Sequence, residues 1–212
     1  MQGVLLAAVL IVSALLAVNL VWRWASRRRS LPCPTWLSFA VRGGGWMDAL
    51  MQTEATVAAL ALRTGESVLE LGPGPGRLLL RAARQVGPEG LAVGLDIQRG
   101  MVERLRTRAQ REGVVNIETL VGDASRTALA SGQFDVVYLS TVLGEVPDRE
   151  AALAECFRLL RPGGRLSVTE IVGDPHYQRA ATVRQLAQQA GFTAESKNGT
   201  WWRTTSNFRK PA

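Results

Sequence analysis

The chemistry of this chain is first visible in ten residues. Positions 68–77 read VLELGPGPGR, an apolar run that carries Glu70 and then breaks into Gly72, Gly74 and Gly76 separated by Pro73 and Pro75. Glycines between a strand and a helix leave out the Cβ atoms that would hold a ligand away from the backbone. A dinucleotide turn of the form G-x-G-x-x-G would need glycine at position 77, where this chain has Arg77. Pyrophosphate is held by backbone N–H groups at a helix N-terminus, and two of the loop residues are prolines with no N–H to give. The loop is therefore a poor phosphate cradle. Glu70, just before it, favours a cationic group nearby.

The elements that must position this loop alternate between strand and helix. Periodicity predicts strands at 68–71, 91–96, 117–121, 134–140 and 165–172, with helices at 78–85, 101–112, 149–160 and 181–190 between or after them. Two further β-rich stretches, 192–197 and 201–208, flank Asn198-Gly199, a hairpin signal. Alternating strands and helices imply an α/β fold: a doubly wound, mostly parallel seven-stranded sheet closed by an antiparallel hairpin. Its ligand belongs at the carboxyl ends of the strands.

A positively charged nucleoside without phosphate fits such a loop, and at this point the chain resembles the class I S-adenosylmethionine-dependent methyltransferases. The likeness runs over roughly residues 46–208. It rests on an ordered set: VLELGPGPG (68–76), VGLDIQRGMVERL (93–105), NIETLVGDA (116–124), FDVVYLSTVLGEVPD (134–148) and RLLRPGGRLSVTEI (158–171). The subgroup it is most similar to contains quinone-biosynthesis C-methyltransferases, arsenite methyltransferases and bacterial phospholipid N-methyltransferases. The resemblance implies S-adenosylmethionine as cofactor and no metal. It also implies that Asp96 takes the ribose hydroxyls, and that Asp123 and the Ala124 N–H meet the adenine. Gly72, Gly74 and Gly76 lie along the methionine part, Glu70 orients them or the amino group, and Ile97 and Ser140 complete the set.

Methyl transfer from a sulfonium is an in-line displacement on an activated carbon, so the protein supplies approach, alignment and removal of water. A general base is needed where the nucleophile arrives protonated. Candidates follow the fourth and fifth expected strands: Thr141, Glu145 and Asp148, then Glu170, Asp174, His176 and Tyr177. His176 is the one histidine of the chain and heads the list, with Glu145 and Tyr177 beside it. Many relatives have histidine where this chain has Gly144.

Composition adds partners. The formal charge is +7, mostly arginine, which points to an anionic neighbour, either a membrane surface or nucleic acid. Much of that charge sits beside the N-terminal apolar stretch or on Arg99, Arg104, Arg106, Arg108 and Arg111, and no Asn/Asp-Pro-Pro-aromatic run follows the fourth strand, so nucleic acid is not the expected substrate. Two distant cysteines, Cys33 and Cys156, argue against a zinc site, a disulfide framework or arsenite chemistry. Residues 3–22 carry no charge and are followed by Arg23, Arg27, Arg28 and Arg29. That pattern predicts a transmembrane anchor over 1–29, a membrane-proximal linker over 30–52 and a cytoplasmic methyltransferase domain over 53–212. A tethered enzyme meets lipids at high local concentration, which directs the expected acceptor toward a small lipophilic molecule, a phospholipid amine or a quinone-type precursor; a thiol or other small-molecule acceptor is the alternative, and a catalytically silent, membrane-tethered cofactor-binding or recruiting protein the second.

Overall fold

Alternate residues of β1 (Ser67–Leu71) face opposite sides of a sheet, and each side meets its own core. Leu69 and Leu71 join Val93, Leu95, Val137, Leu139, Leu166 and Val168 in one apolar cluster, while Val68 joins Ala92, Val136 and Tyr138 in the other. In this computed structural model the described residues are 43–212, together with positions 3, 6, 7, 9–11, 13, 14, 17, 18, 20 and 21.

The sheet has seven strands in the order β3-β2-β1-β4-β5-β7-β6. These are β1, β2 (Leu91–Asp96), β3 (Ile117–Val121), β4 (Phe134–Ser140), β5 (Leu160–Ile171), β6 (Thr193–Gly199) and β7 (Arg203–Arg209). The first five are parallel, and β7 runs antiparallel between β5 and β6. Short helices α1 (Trp46–Leu50) and α2 (Thr53–Ala59) precede the sheet. Helices α3 (Leu79–Val86) and α4 (Arg99–Arg111) cover the face that carries Val68. The other face is covered by α5 (Arg149–Leu159) and α6 (Ala180–Gln189). Each helix turns a narrow apolar stripe inward, as with Met101, Val102, Leu105 and Ala109 of α4. Asp148 caps α5 by accepting from the Ala151 N–H (2.9 Å).

Two expectations change. The hairpin turn lies beyond Asn198-Gly199: Gly199 still pairs with Thr204, and the Thr200 N–H donates to the Arg203 carbonyl (2.7 Å), so the reversal occupies 200–202. The expected single-pass membrane localisation is also corrected, because among the described residues no helix is long and apolar enough to cross a membrane. Crossing takes about 20 residues of continuous apolar helix. Residues 22–42, with the basic flank and most of the expected linker, lie outside the described residues. The end of that linker is tied to the sheet domain: Asp48 accepts from Arg81 Nη2 (2.6 Å) and Gln52 Oε1 accepts from Arg203 Nε (2.8 Å).

Candidate active site

Strand order reverses between β1 and β4, and such a reversal opens a crevice beyond the carboxyl ends of the two strands. A cavity of about 480 Å³ lies there. Glu70, Gly72 and Gly74 line it from β1 and its loop, and Asp96 and Ile97 from the end of β2. Asp123 and Ala124 follow β3, and Ser140 and Glu145 follow β4. Gly76 is absent from this wall. A Cβ there would stand 2.4 Å from Leu105 Cδ1, so this glycine lets the loop close onto α4 and does not face the cavity.

The glycine loop commits its amides to the protein itself. Gly72 N–H donates to the Leu95 carbonyl (2.8 Å), Gly74 N–H to Asp96 Oδ2 (3.1 Å) and Gly76 N–H to the Pro73 carbonyl (3.0 Å). With Pro73 and Pro75 contributing none, the loop from 72 to 76 has no backbone donor left for a phosphate. Gly74 has φ +52° and no atom within 4 Å of where a Cβ would stand, which leaves ligand-sized space against the backbone.

The acids around the loop are held in distinct ways. Asp96 is buried, and burial raises its carboxyl above the usual range while the N–H groups of Gln98 (2.9 Å) and Gly74 pull it back down. A carboxylate has about four lone-pair positions, so two remain for hydroxyl donors. Asp123 is exposed and its Oδ1 accepts from the N–H (2.8 Å) and hydroxyl (2.7 Å) of Ser125. Both aspartates thus also close local turns. Glu70 pairs in register with Tyr138, whose hydroxyl donates to Glu70 Oε2 (3.1 Å). Burial pushes Glu70 up to about 8, against the opposing charge of Arg77. Arg77 lines the cavity and donates to Thr53 Oγ1 (3.0 Å).

Beyond β4 the wall changes character. Met51, Val142, Val146, Pro147, Ile171 and Pro175 make it apolar, and Glu145 and Asp174 bring carboxylates to it. Ser140, 8% exposed, carries a hydroxyl with no hydrogen-bond partner among the described residues, at the junction with the glycine half. Next to it Thr141 is held at φ +58°, an uncommon backbone state for a residue other than glycine.

His176 and Tyr177 do not line the cavity. Asp174 Oδ1 accepts from the His176 N–H (2.7 Å), and the Tyr177 N–H donates to the Asp174 carbonyl (3.2 Å). This tight turn puts Asp174 and Pro175 on the wall and carries the next two residues behind it. His176 is buried, with Nδ1 3.8 Å from Glu145 Oε1 and 4.0 Å from Asp174 Oδ1, and its Nε2 has no partner among the described residues. Burial first, then the charge of Arg149, lowers its pKa and keeps the imidazole neutral. The apolar chamber and Arg149 escaped sequence reasoning, because they come from segments with no shared motif.

Glu170 lies beside this cluster, buried, with Oε2 accepting from the Gln178 N–H (3.1 Å) and Oε1 unpartnered among the described residues. Burial, helped by the charges of Asp174 and Glu145, pushes it up to about 8 from an ordinary 4.5, with the Gln178 N–H and Arg149 opposing. An acid whose folded pKa is raised binds more protons folded than unfolded between those values, so it lowers stability as pH rises through that window. Glu70 acts with the same sign. Denaturant unfolding of the full chain is therefore expected to give falling stability from pH 5 to pH 8. Glu170→Gln should flatten that slope and be the more stable protein at pH 8.5. Stability that climbs with pH in the parent, or an unchanged slope in the variant, would contradict this assignment.

Known proteins fit this picture. Residues 68–164 match a family model described as a methyltransferase domain. A demethylmenaquinone methyltransferase of Lactococcus lactis is 38% identical over 107 residues, 50% of this chain and 42% of the relative. An arsenite methyltransferase of Halobacterium salinarum is 31% identical over 115 residues, 54% of this chain and 29% of the relative. The chain thus spans less than half the length of these two curated relatives. A solved S-adenosylmethionine-dependent methyltransferase from Aquifex aeolicus shares the fold, with a TM-score of 0.77 over 84% of this chain and 99% of that one, at 17% identity.

Proposed function

We propose that this chain, a class I S-adenosylmethionine-dependent methyltransferase, moves the methyl group to a small lipophilic acceptor. The class and its cofactor rest on the fold and the methyltransferase-domain match. The acceptor class rests on one observation: the cavity continues from the aspartate-bearing half of the sheet, β3-β2-β1, into an apolar chamber at the ends of β4 and β5.

The residues present suit the cofactor. The open space at Gly74, the remaining acceptor positions of Asp96 and the lack of phosphate donors in the loop all favour a cationic nucleoside. Asp96 would hold the ribose hydroxyls, Asp123 and the Ala124 N–H the adenine with Ile97 beside it, and Gly72, Gly74 and Glu70 the methionine part. When bound, the sulfonium supplies a methyl group already activated for displacement. The chain's own residues then align and dry the acceptor: Val142, Val146 and Ile171 exclude water, and Ser140 stands at the junction of the two halves. Glu145 would take a proton from an acceptor that arrives protonated, with His176 Nδ1 3.8 Å from its Oε1. Tyr177 shapes the turn that holds Asp174.

The described cysteine does not support thiol-dependent arsenic chemistry, since Cys156 is buried and burial pushes its thiol up. The test is incubation of the full chain with methyl-labelled cofactor and an organic extract of small molecules and lipids, followed by chromatography. Label should enter a low-mass, organic-soluble product. Label found only in protein or RNA of a crude lysate overturns the acceptor class, and absence of cofactor binding in calorimetry would leave only a recruiting protein with this fold.

A further inference from the structure

We propose that Arg77 reads the carboxylate at the amino-acid end of the cofactor, opposite Glu70, which takes the ammonium of the same group. The proposal rests on the methyltransferase reading above and goes beyond it by naming the residue that decides which adenosine thioethers and sulfonium nucleosides the site accepts.

Position 77 is where a dinucleotide turn would require glycine, and the arginine that stands there lines the cavity together with Glu70, Gly72 and Gly74. Of the N–H donors that a guanidinium carries, the described residues take one, at Nη1, where Thr53 Oγ1 accepts (3.0 Å). That contact has a fixed sense. The Thr53 hydroxyl gives its single proton to Asp48 Oδ1 (2.8 Å), so its oxygen is left to accept from Arg77. Gly43 packs on the stem: a Cβ there would stand 2.8 Å from Arg77 Cγ and 3.0 Å from Cδ. The half-buried side chain is thus held at its stem and at one nitrogen, with the other donors uncommitted among the described residues.

The neighbouring acids do not use those donors. Asp48 attracts Arg77, but its own oxygens are engaged by Arg81 Nη2 (2.6 Å), the Thr53 hydroxyl and the Gly44 N–H (2.8 Å). Glu70 and Arg77 are near enough for each charge to act on the other, yet among the described residues they form no ion pair. Burial pushes Glu70 up to about 8, so at neutral pH and before a ligand binds, a largely neutral acid stands near a guanidinium that it does not neutralise. A cation drawn out of water is costly unless an anion meets it. An α-amino-acid end brings both missing charges at once. Its carboxylate matches the planar fork of a guanidinium, which donates two parallel N–H bonds, and its ammonium favours the ionised form of Glu70. A phosphate or lone carboxylate would be repelled by Glu70 once that acid ionises, and a lone ammonium would be repelled by Arg77. The two residues together select a zwitterion.

The test is calorimetric titration of the full chain with four ligands that share one nucleoside: S-adenosylhomocysteine, its decarboxylated analogue, its deaminated analogue and 5′-methylthioadenosine. S-adenosylhomocysteine is expected to bind about tenfold tighter than the decarboxylated analogue, as for loss of charge-assisted hydrogen bonds. In Arg77→Gln that ratio should fall to about twofold while the parental affinity for 5′-methylthioadenosine is kept, which reports a folded nucleoside half. Arg77→Lys keeps the charge without the fork and should fall between. Glu70→Gln should instead lose the preference over the deaminated analogue and keep the preference over the decarboxylated one. A decarboxylated analogue that equals S-adenosylhomocysteine in the parent overturns the assignment, and no variant is needed to see it. So does an Arg77→Gln chain that keeps the parental ratio, or one that loses 5′-methylthioadenosine in the same proportion as the other ligands, since the arginine would then only hold the loop. A parent chain that binds none of the four is a separate result and removes the methyltransferase reading beneath the proposal.

Discussion

Gly144→Ala is expected to destabilise the protein by about 1–3 kcal/mol, the usual cost of forcing a methyl group into filled space. A Cβ at position 144 would lie 1.9 Å from the His176 carbonyl oxygen and 2.8 Å from its carbonyl carbon and Cβ. The obstacle is backbone, so no rotamer change can clear it. The turn that contains Gly144 is anchored from the other side, where Arg149 Nη2 donates to the Gly144 carbonyl (3.2 Å). The strain must therefore move the segment 174–178, which carries Asp174, His176 and the Gln178 N–H that Glu170 uses. Denaturant unfolding measures the stability loss. Kinetics should show a larger rise in the acceptor KM than in the cofactor Kd, because the cofactor half of the cavity is built on β1, β2 and β3. A variant with parental stability and parental acceptor KM would mean that His176 does not seat against this glycine.

That contact also marks how far sequence reasoning reaches. Strands β2 and β4, buried on both faces, fall on the expected residues because an apolar run bounded by polar turns has few other solutions, and β3, more exposed, falls on its expected residues as well. The positions of Asp96, at the end of β2, and of Asp123, two residues past the end of β3, were legible because the carboxyl edge of a parallel sheet is set by local order along the chain. The hairpin turn was misplaced because long-range pairing decides it. β7 pairs with β5 from Arg203↔Ile171, and Arg203 is held by Gln52 and Thr56, more than 140 residues earlier in the chain. Gly199 accordingly stays in β6, whatever Asn-Gly prefers locally. The chamber was invisible for the same reason, since Met51, Val146, Ile171 and Pro175 share a wall only once four segments have met. The chemistry of His176 could be read from its type, but the direction it faces follows from the Asp174 turn. The expected span rested on hydropathy alone, and among the described residues no helix is long and apolar enough to cross a membrane.

Asp96→Ala is expected to weaken S-adenosylmethionine binding by about 1–3 kcal/mol, roughly a 5- to 150-fold rise in Kd, as for loss of charge-assisted hydrogen bonds to a buried carboxylate. Two effects add. The ribose hydroxyls lose their acceptor, and the Gly74 N–H loses the oxygen that fixes the loop against β2, so the cradle at Gly74 loosens as well. Asp96→Asn separates these effects, because one amide oxygen can still accept from the loop while the charge is gone, and it should fall between parent and alanine. Asp123→Ala should cost less, near the lower end of that range, since Asp123 is exposed and water competes for its oxygens. Calorimetric titration of the three variants with S-adenosylmethionine gives the ordering directly. Because Asp96 is also buried beneath the loop, each variant is unfolded in denaturant in parallel, so that a drop in affinity is assigned to the site only where the fold is retained. Parental affinity in both alanine variants would place the nucleoside elsewhere, and with it the division of the cavity between cofactor and acceptor on which the role of Glu145 depends.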